Sequence, residues 1–298
     1  MKTTSHRNSS SVKRVIKFCW ILALLVISSS ASAQLFVGTA TNASGFTNDT
    51  FEVNVTSGVA TPLFSRAVWG ATYDFINNRV LFTSDGGIGG DQLYQWIPGT
   101  AAPTLVGTIV DAAGGPFRID GLAISGGNLY GSRAAGILDG IYSIDMGTLV
   151  ATLIIPTTDS ISGIDANPAT GEVYGVNDTA GELVKIDIGA GTITTVVAYP
   201  PAEDDIDGLA VSPGGLAYLI PDDPTPGEFF VYNLNTDAYE TPLIGPWTGV
   251  DTFSGGAYME SPVNVPIPSL SRLGLLLMAL MLVATAVYRT REWGFLKN

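Results

Sequence analysis

The sequence predicts an all-β fold, a five-bladed β-propeller over residues 34–261, with an N-terminal signal helix before it and a C-terminal hydrophobic helix after it. Three observations carry this reading. No stretch between the two ends sustains a helical period. Short alternating runs appear instead, such as Phe51-Glu52-Val53-Asn54-Val55 and Leu183-Val184-Lys185-Ile186, bounded by Gly, Pro, Asn, Asp and Thr. Finally, the runs repeat: five segments share a small-residue core with Gly at positions 70, 121, 163, 208 and 255, spaced 51, 42, 45 and 47 residues apart. Four strands per repeat at a period of about 40–50 is the signature of propeller blades.

Each repeat opens with a first strand, at residues 68–73, 119–124, 161–166, 206–211 and 253–258. First strands crowd around the central axis of a propeller, and the shared Gly supplies the small residue needed there. Asn77-Asn78, Gly126-Gly127-Asn128, Ala169-Thr170-Gly171 and Pro213-Gly214-Gly215 read as hairpin turns. Second strands follow them at 80–82, 128–131, 172–175 and 216–218. Third strands lie at 92–96, 140–145, 182–187 and 229–233, and fourth strands at 103–107, 149–153, 193–197 and 239–243. The fifth segment has no hairpin after it. The start of the chain supplies the missing strands, at 34–38, 50–55 and 60–64, so the last strand closes the first blade. Six blades is the rival count, should one repeat be divergent. A β-sandwich gives no reason for the repeat.

The two ends read as addresses. Lys2, Arg7, Lys13, Arg14 and Lys17 precede an apolar run, Phe18 to Ile27, and then a small-residue stretch with Ala31 and Ala33 before Gln34. This is the three-part pattern of a secretory signal peptide cleaved at Ala31-Ser32-Ala33 before Gln34. Ten apolar residues are too few for an N-terminal membrane anchor, which needs about 20. Residues 1–33 carry the only Cys, Cys19, and the only His, His6. At the other end, a Pro-rich linker from Pro262 to Pro268 leads into Ser269-Leu270-Ser271-Arg272-Leu273-Gly274, an apolar run to Val287, and then Arg289 and Arg291. At about 1.5 Å per residue, the 16 residues from Leu273 to Tyr288 span a bilayer only if the flanking arginines snorkel.

Ile267-Pro268-Ser269-Leu270-Ser271, with Gly274, a short hydrophobic helix and terminal arginines, resembles the IPTL-CTERM protein-sorting domain. It departs from that family's usual IPTLSEWG at Ser269, Arg272 and Leu273; an ordinary tail anchor is the alternative. The resemblance covers about 30 residues. It implies a bacterial cell-envelope protein, held transiently in the inner membrane by its C-terminal helix. A membrane-embedded exosortase-type transpeptidase would cleave near the Pro-containing motif, with Arg289 and Arg291 as the cytoplasmic stop-transfer charges. The blade pattern is similar to that of secreted propellers of the NHL and related types, which share fold more than activity.

Charge and composition narrow the chemistry. The net charge of −13 averages three unlike parts: residues 34–261 hold five Lys and Arg against 26 Asp and Glu. Such a body repels nucleic acid, which needs clustered basic residues. One Cys forbids an internal disulfide, and the expected mature chain offers neither His nor Cys to a zinc site, a general base or a thiol nucleophile. Catalysis is therefore not expected. Glu203, Asp204, Asp205 and Asp207 read as a solvated acidic loop. A metal site is the sharper candidate. Asp120 and Asp207 both stand just before the core Gly, where the other blades have Trp69, Ser162 and Ser254. In a propeller these five positions form a ring at one mouth of the axis, and Asp120, Asp207, Ser162 and Ser254 suit a hard cation such as Ca²⁺. Asp165 and Asp222-Asp223 are weaker candidates. Trp69, Tyr73, Phe117 and Trp247 stand close to strand starts, where propellers present binding faces, although core packing is the commoner fate of such residues. The expectation is an exported display module for a protein, glycan or matrix component. The rival is a carboxylate-dependent hydrolase or lyase, which requires acids converging in one deep pocket.

Overall fold

The computed structural model describes residues 33–39, 49–84, 91–134, 138–201, 203, 205–222, 227–245 and 253–260. The predicted terminal helices, Ala31, the sorting motif from Ile267 to Gly274, Arg289 and Arg291 lie outside the described residues. Among the described residues no helix occurs, and so none is long and apolar enough to cross a membrane.

The strands form five antiparallel sheets. Blade 1 holds β1 (Gln34–Thr39), β2 (Asp49–Asn54) and β3 (Ala60–Ser65), and takes its innermost strand, β21 (Phe253–Met259), from the far end of the domain. Blade 2 runs through β4 (Ala71–Asp74), β5 (Arg79–Ser84), β6 (Gln92–Trp96) and β7 (Thr104–Thr108). Blade 3 has β8 (Gly121–Ser125), β9 (Asn128–Arg133), β10 (Gly140–Ile144) and β11 (Ala151–Pro156). Blade 4 comprises β12 (Ile161–Ala166), β13 (Val173–Asn177), β14 (Glu182–Asp187) and β15 (Thr192–Ala198). In blade 5, β16 (Ile206–Val211), β17 (Leu216–Pro221) and β18 (Glu228–Asn233) are followed by two short strands, β19 (Ala238–Tyr239) and β20 (Leu243–Ile244), both paired to β18. The innermost strands pack side by side in the cyclic order β21, β4, β8, β12, β16 and back to β21. The count is five, and the ring closes through antiparallel pairing of β1 with β21, from Gln34↔Met259 to Gly38↔Gly255.

The core follows from this geometry. Among the described residues five hydrophobic clusters occur, each between two neighbouring blades. A blade is therefore covered on both faces, and alternate residues of one strand serve different clusters. In β1, Leu35 and Val37 face blade 5, while Phe36 joins Phe82 and Trp96 of blade 2. Inner strands are consequently buried at most positions, polar residues such as Thr72, Ser162 and Asp165 included. Close approach of backbones requires three of the shared Gly residues, Gly70, Gly121 and Gly163, whereas a Cβ on Gly208 or Gly255 would meet the side chain of Ile220 or Val68. A Cβ on Gly70 would lie 2.5 Å from the Asp120 carbonyl oxygen, and one on Gly163 would lie 2.4 Å from that of Asp207. Each contact belongs to the next blade round the ring.

Two local features repeat. Asn54, Asp145, Asp187 and Asn233 end or follow the third strands and accept hydrogen bonds from backbone N–H groups two or three residues on. These polar residues turn the chain into the fourth strand. The pairing of third and fourth strands also slips by one residue at the same place in blades 1 to 4. In blade 5 the expected strand at 239–243 breaks there into β19 and β20. Pro242 stands between them with no N–H to give to the ladder.

Candidate functional site at the axial mouth

Trp69, Asp120, Ser162, Asp207 and Ser254, the five residues before the shared Gly, line one cavity of about 100 Å³ together with Arg118, Ala134 and Ser160. Most of these groups are already engaged. The Arg118 guanidinium donates to Asp120 Oδ1 and lies over the Trp69 ring, 4.8 Å from its centroid. The Ala134 N–H donates to Asp120 Oδ2 at 2.8 Å. The Ser162 hydroxyl donates to Asp178 Oδ2 at 2.6 Å, with the Ile206 carbonyl 3.1 Å away, and Ser254 donates to the Val68 carbonyl at 2.5 Å.

These serines belong to a set of hydroxyls that tie each blade to the next. Thr83 of β5 donates to the Ile119 carbonyl at 3.2 Å, and Ser132 of β9 donates to the Ser162 carbonyl at 2.8 Å. In both cases a buried backbone oxygen at the irregular start of an inner strand gains a partner from the neighbouring blade.

The four residues expected to hold a cation are thus divided by the fold. Asp120 is neutralised by Arg118, and the two serines bridge blades. Asp207 instead meets Asp178 and Asp205, with carboxylate oxygens of all three within 4.8 Å of one another. These three lie close enough to share a hard cation, and of the four expected residues Asp207 alone is among them. Asp178 stands just after β13 and was not legible as a site residue. Its partner Tyr199 donates to it at 3.0 Å and the Ile206 N–H at 3.4 Å. Of the acidic loop, Asp205 is exposed, Glu203 is half-buried, and Asp204 lies outside the described residues.

The electrostatics follow the burial. Asp207 is pushed up to about 8, first by burial and then by the carboxylates of Asp222, Asp178, Asp205 and Asp120. Asp178 is raised to about 6 by burial, against the hydrogen bonds it accepts. At the other end of β12, Asp165 is 4% exposed and raised to about 7 by burial alone. It accepts from Thr72 Oγ1 of β4 at 3.0 Å and from the Val211 N–H of β16 at 2.8 Å, so it ties three blades together. Tyr73 and Phe117 are core residues, 7% and 4% exposed. Trp247 and Asp223 lie outside the described residues, while Trp69 stays at the cavity, its Nε1 buried with no partner. Arg118 was overlooked, although a body with only five basic residues makes each one beside an acid conspicuous.

Fold and site together define a five-bladed propeller with a small polar cavity at one mouth. No protein-family model matches the chain, and no curated protein does. Among solved structures it is similar to a chain of the nidogen–laminin complex, with a TM-score of 0.51 and 11% identity over 76% of this chain and 98% of that one. It is also similar to TolB from Acinetobacter baumannii, with a TM-score of 0.47 and 14% identity over 81% of this chain and 61% of that one. A protein of unknown function from Bacteroides thetaiotaomicron gives a TM-score of 0.48 and 11% identity over 74% and 66%. At such identities the likeness is one of fold.

Proposed function

We propose that this chain is an exported cell-envelope protein whose propeller is a non-catalytic binding module, delivered by its signal peptide and sorted through its C-terminal tail. The observation that carries the binding role is the cavity at the axial mouth, where residues from all five blades converge. Export and sorting are supported by the pattern around Ala31, Ala33 and Gln34 and by the tail from Ile267 through Arg291. The partners on this reading are an exosortase-type enzyme for the tail, the membrane for the hydrophobic helix, and a glycan or protein for the mouth. Fractionation of cells expressing the full chain tests the sorting: replacing Ile267 and Pro268 should leave unprocessed protein in the membrane. Unaltered processing would mean that the tail is only an anchor.

A second reading, a carboxylate-dependent hydrolase or lyase, draws on the convergence of Asp178, Asp205 and Asp207. Release of new reducing ends from polysaccharide by the wild type, but not by Asp207→Asn, would establish it.

A further inference from the structure

We propose that the crevice between blades 5 and 1 is a second binding site, one that takes a small amphiphilic cation: an apolar or aromatic body carrying a single ammonium group. The crevice shares no residue with the axial mouth, so this inference goes beyond the reading above and is independent of it.

The sequence of blade 1 leaves this crevice underfilled. In blades 3, 4 and 5 the residues on either side of the turn-forming Asp or Asn are Ile144 and Met146, Ile186 and Ile188, and Tyr232 and Leu234. Each pair packs toward the preceding blade. In blade 1 the pair is Val53 and Val55, which face blade 5 and fill less space. The opposite wall is irregular, because the outer strand of blade 5 breaks at Pro242. What remains is an open cleft of about 670 Å³, within the range of about 300–1,000 Å³ usual for small-molecule sites. Its far side is tied. The blade 1 hairpin meets β20 at Gly58, which has φ of 69° and whose Cβ would run into the Ile244 carbonyl oxygen.

The lining defines the ligand. Val55, Leu216, Tyr218, Val231 and Leu243 form the apolar wall, and all five belong to or pack on the hydrophobic cluster shared by blades 5 and 1. Burial of an apolar body against them drives association. The ladder of β18 is occupied on both sides of the break, by β19, by β20 and by the Glu240 N–H, which donates to the Val231 carbonyl at 2.8 Å. A peptide strand therefore finds no β18 edge to join, and a small molecule fits instead. The polar part of the lining carries one charge, Glu240, whose Oε1 accepts from Asn233 Nδ2 at 2.9 Å. Among the described residues no Lys, Arg or His lines the cleft. A ligand carboxylate or phosphate would face Glu240 without a counter-charge, whereas an ammonium pairs with it.

Three probes of one shape test this: 4-phenylbutylamine, 4-phenylbutanol and 4-phenylbutanoate. Each is titrated by calorimetry into the purified full-length protein in detergent, with protein-free micelles as the blank. The amine should bind best, ahead of the alcohol by about two- to fivefold at low salt, and the butanoate least well. Glu240→Gln should remove the amine's advantage and leave the alcohol unchanged, as should about 0.5 M NaCl with the wild type. Val55→Phe, which fills the cleft, should weaken the amine and the alcohol by about tenfold or more, with a melting temperature near the wild type's as the folding control. Glu240 is exposed, so its variant reports on the site even where Val55→Phe fails to fold. Equal binding of amine and butanoate, an amine preference that survives Glu240→Gln, or binding indifferent to a folded Val55→Phe would each overturn the proposal. So would a folded wild type that binds none of the three. All of these outcomes leave the reading of the axial mouth untouched.

Discussion

Asp165→Asn should make the propeller more stable, by an amount that grows from about pH 4 and is complete above about pH 7. The carboxyl of Asp165 is enclosed among β4, β12 and β16, with two donors from other blades and no charged partner. Burial raises it from an ordinary 3.8 to about 7. Between these values the folded chain keeps a proton that the unfolded chain has released. Stability is therefore highest below about pH 4, falls as pH rises through the window, and levels off above about pH 7. Three pH units at about 1.4 kcal/mol each amount to about 4 kcal/mol as an upper bound. Asn has the same shape and no charge. Its oxygen can accept from Val211 N–H while its NH₂ donates to Thr72 Oγ1, which turns to accept. The variant and the wild type should melt together near pH 4. At pH 8 the variant should melt roughly 5–15 °C higher, at about 2–4 °C per kcal/mol for a domain of this size. Thermal melts at four or five pH values decide it. A difference that does not change with pH, or a variant less stable at pH 8, would show that the donors outweigh burial and that the carboxyl is ionised in the folded state.

Ser132→Ala removes the hydroxyl that β9 sends to the Ser162 carbonyl and leaves a buried oxygen without it; urea unfolding should show a loss of about 1–3 kcal/mol. Gly163→Ala places a methyl 2.4 Å from the Asp207 carbonyl oxygen, so β12 and β16 must separate. The expected cost is about 1–3 kcal/mol or more. Gly189→Ala, in a turn where the nearest atom is 3.5 Å away, should stay within about 0.5 kcal/mol in the same denaturant series.

The blade plan was legible because it is written locally. Each hairpin has its own turn residues, such as Asn78 with φ of 51°, and the Gly spacing counts the blades. Closure by the last strand followed from an unpaired repeat at each end. The site was legible only by position. Residues before the shared Gly had to share a mouth, and they do, because β21, β4, β8, β12 and β16 all arrive at the axis in the same sense. Which charges pair there was not legible. Asp120 goes to Arg118, two residues away, whereas Asp207 faces Asp178 from the preceding blade.

By itself, then, the sequence determined the all-β class, the five repeats, the strand order within each and the join between the two ends. All of these depend on periodicity and on neighbours along the chain. Only the tertiary structure decided which polar groups are spent on holding blades together and which face open space. It also decided that Asp165 would be buried against Thr72, 93 residues away. The physical reason is that burial and the distance between charges are set by ring closure. Closure brings together residues from different repeats, and the pattern within any one repeat does not encode that.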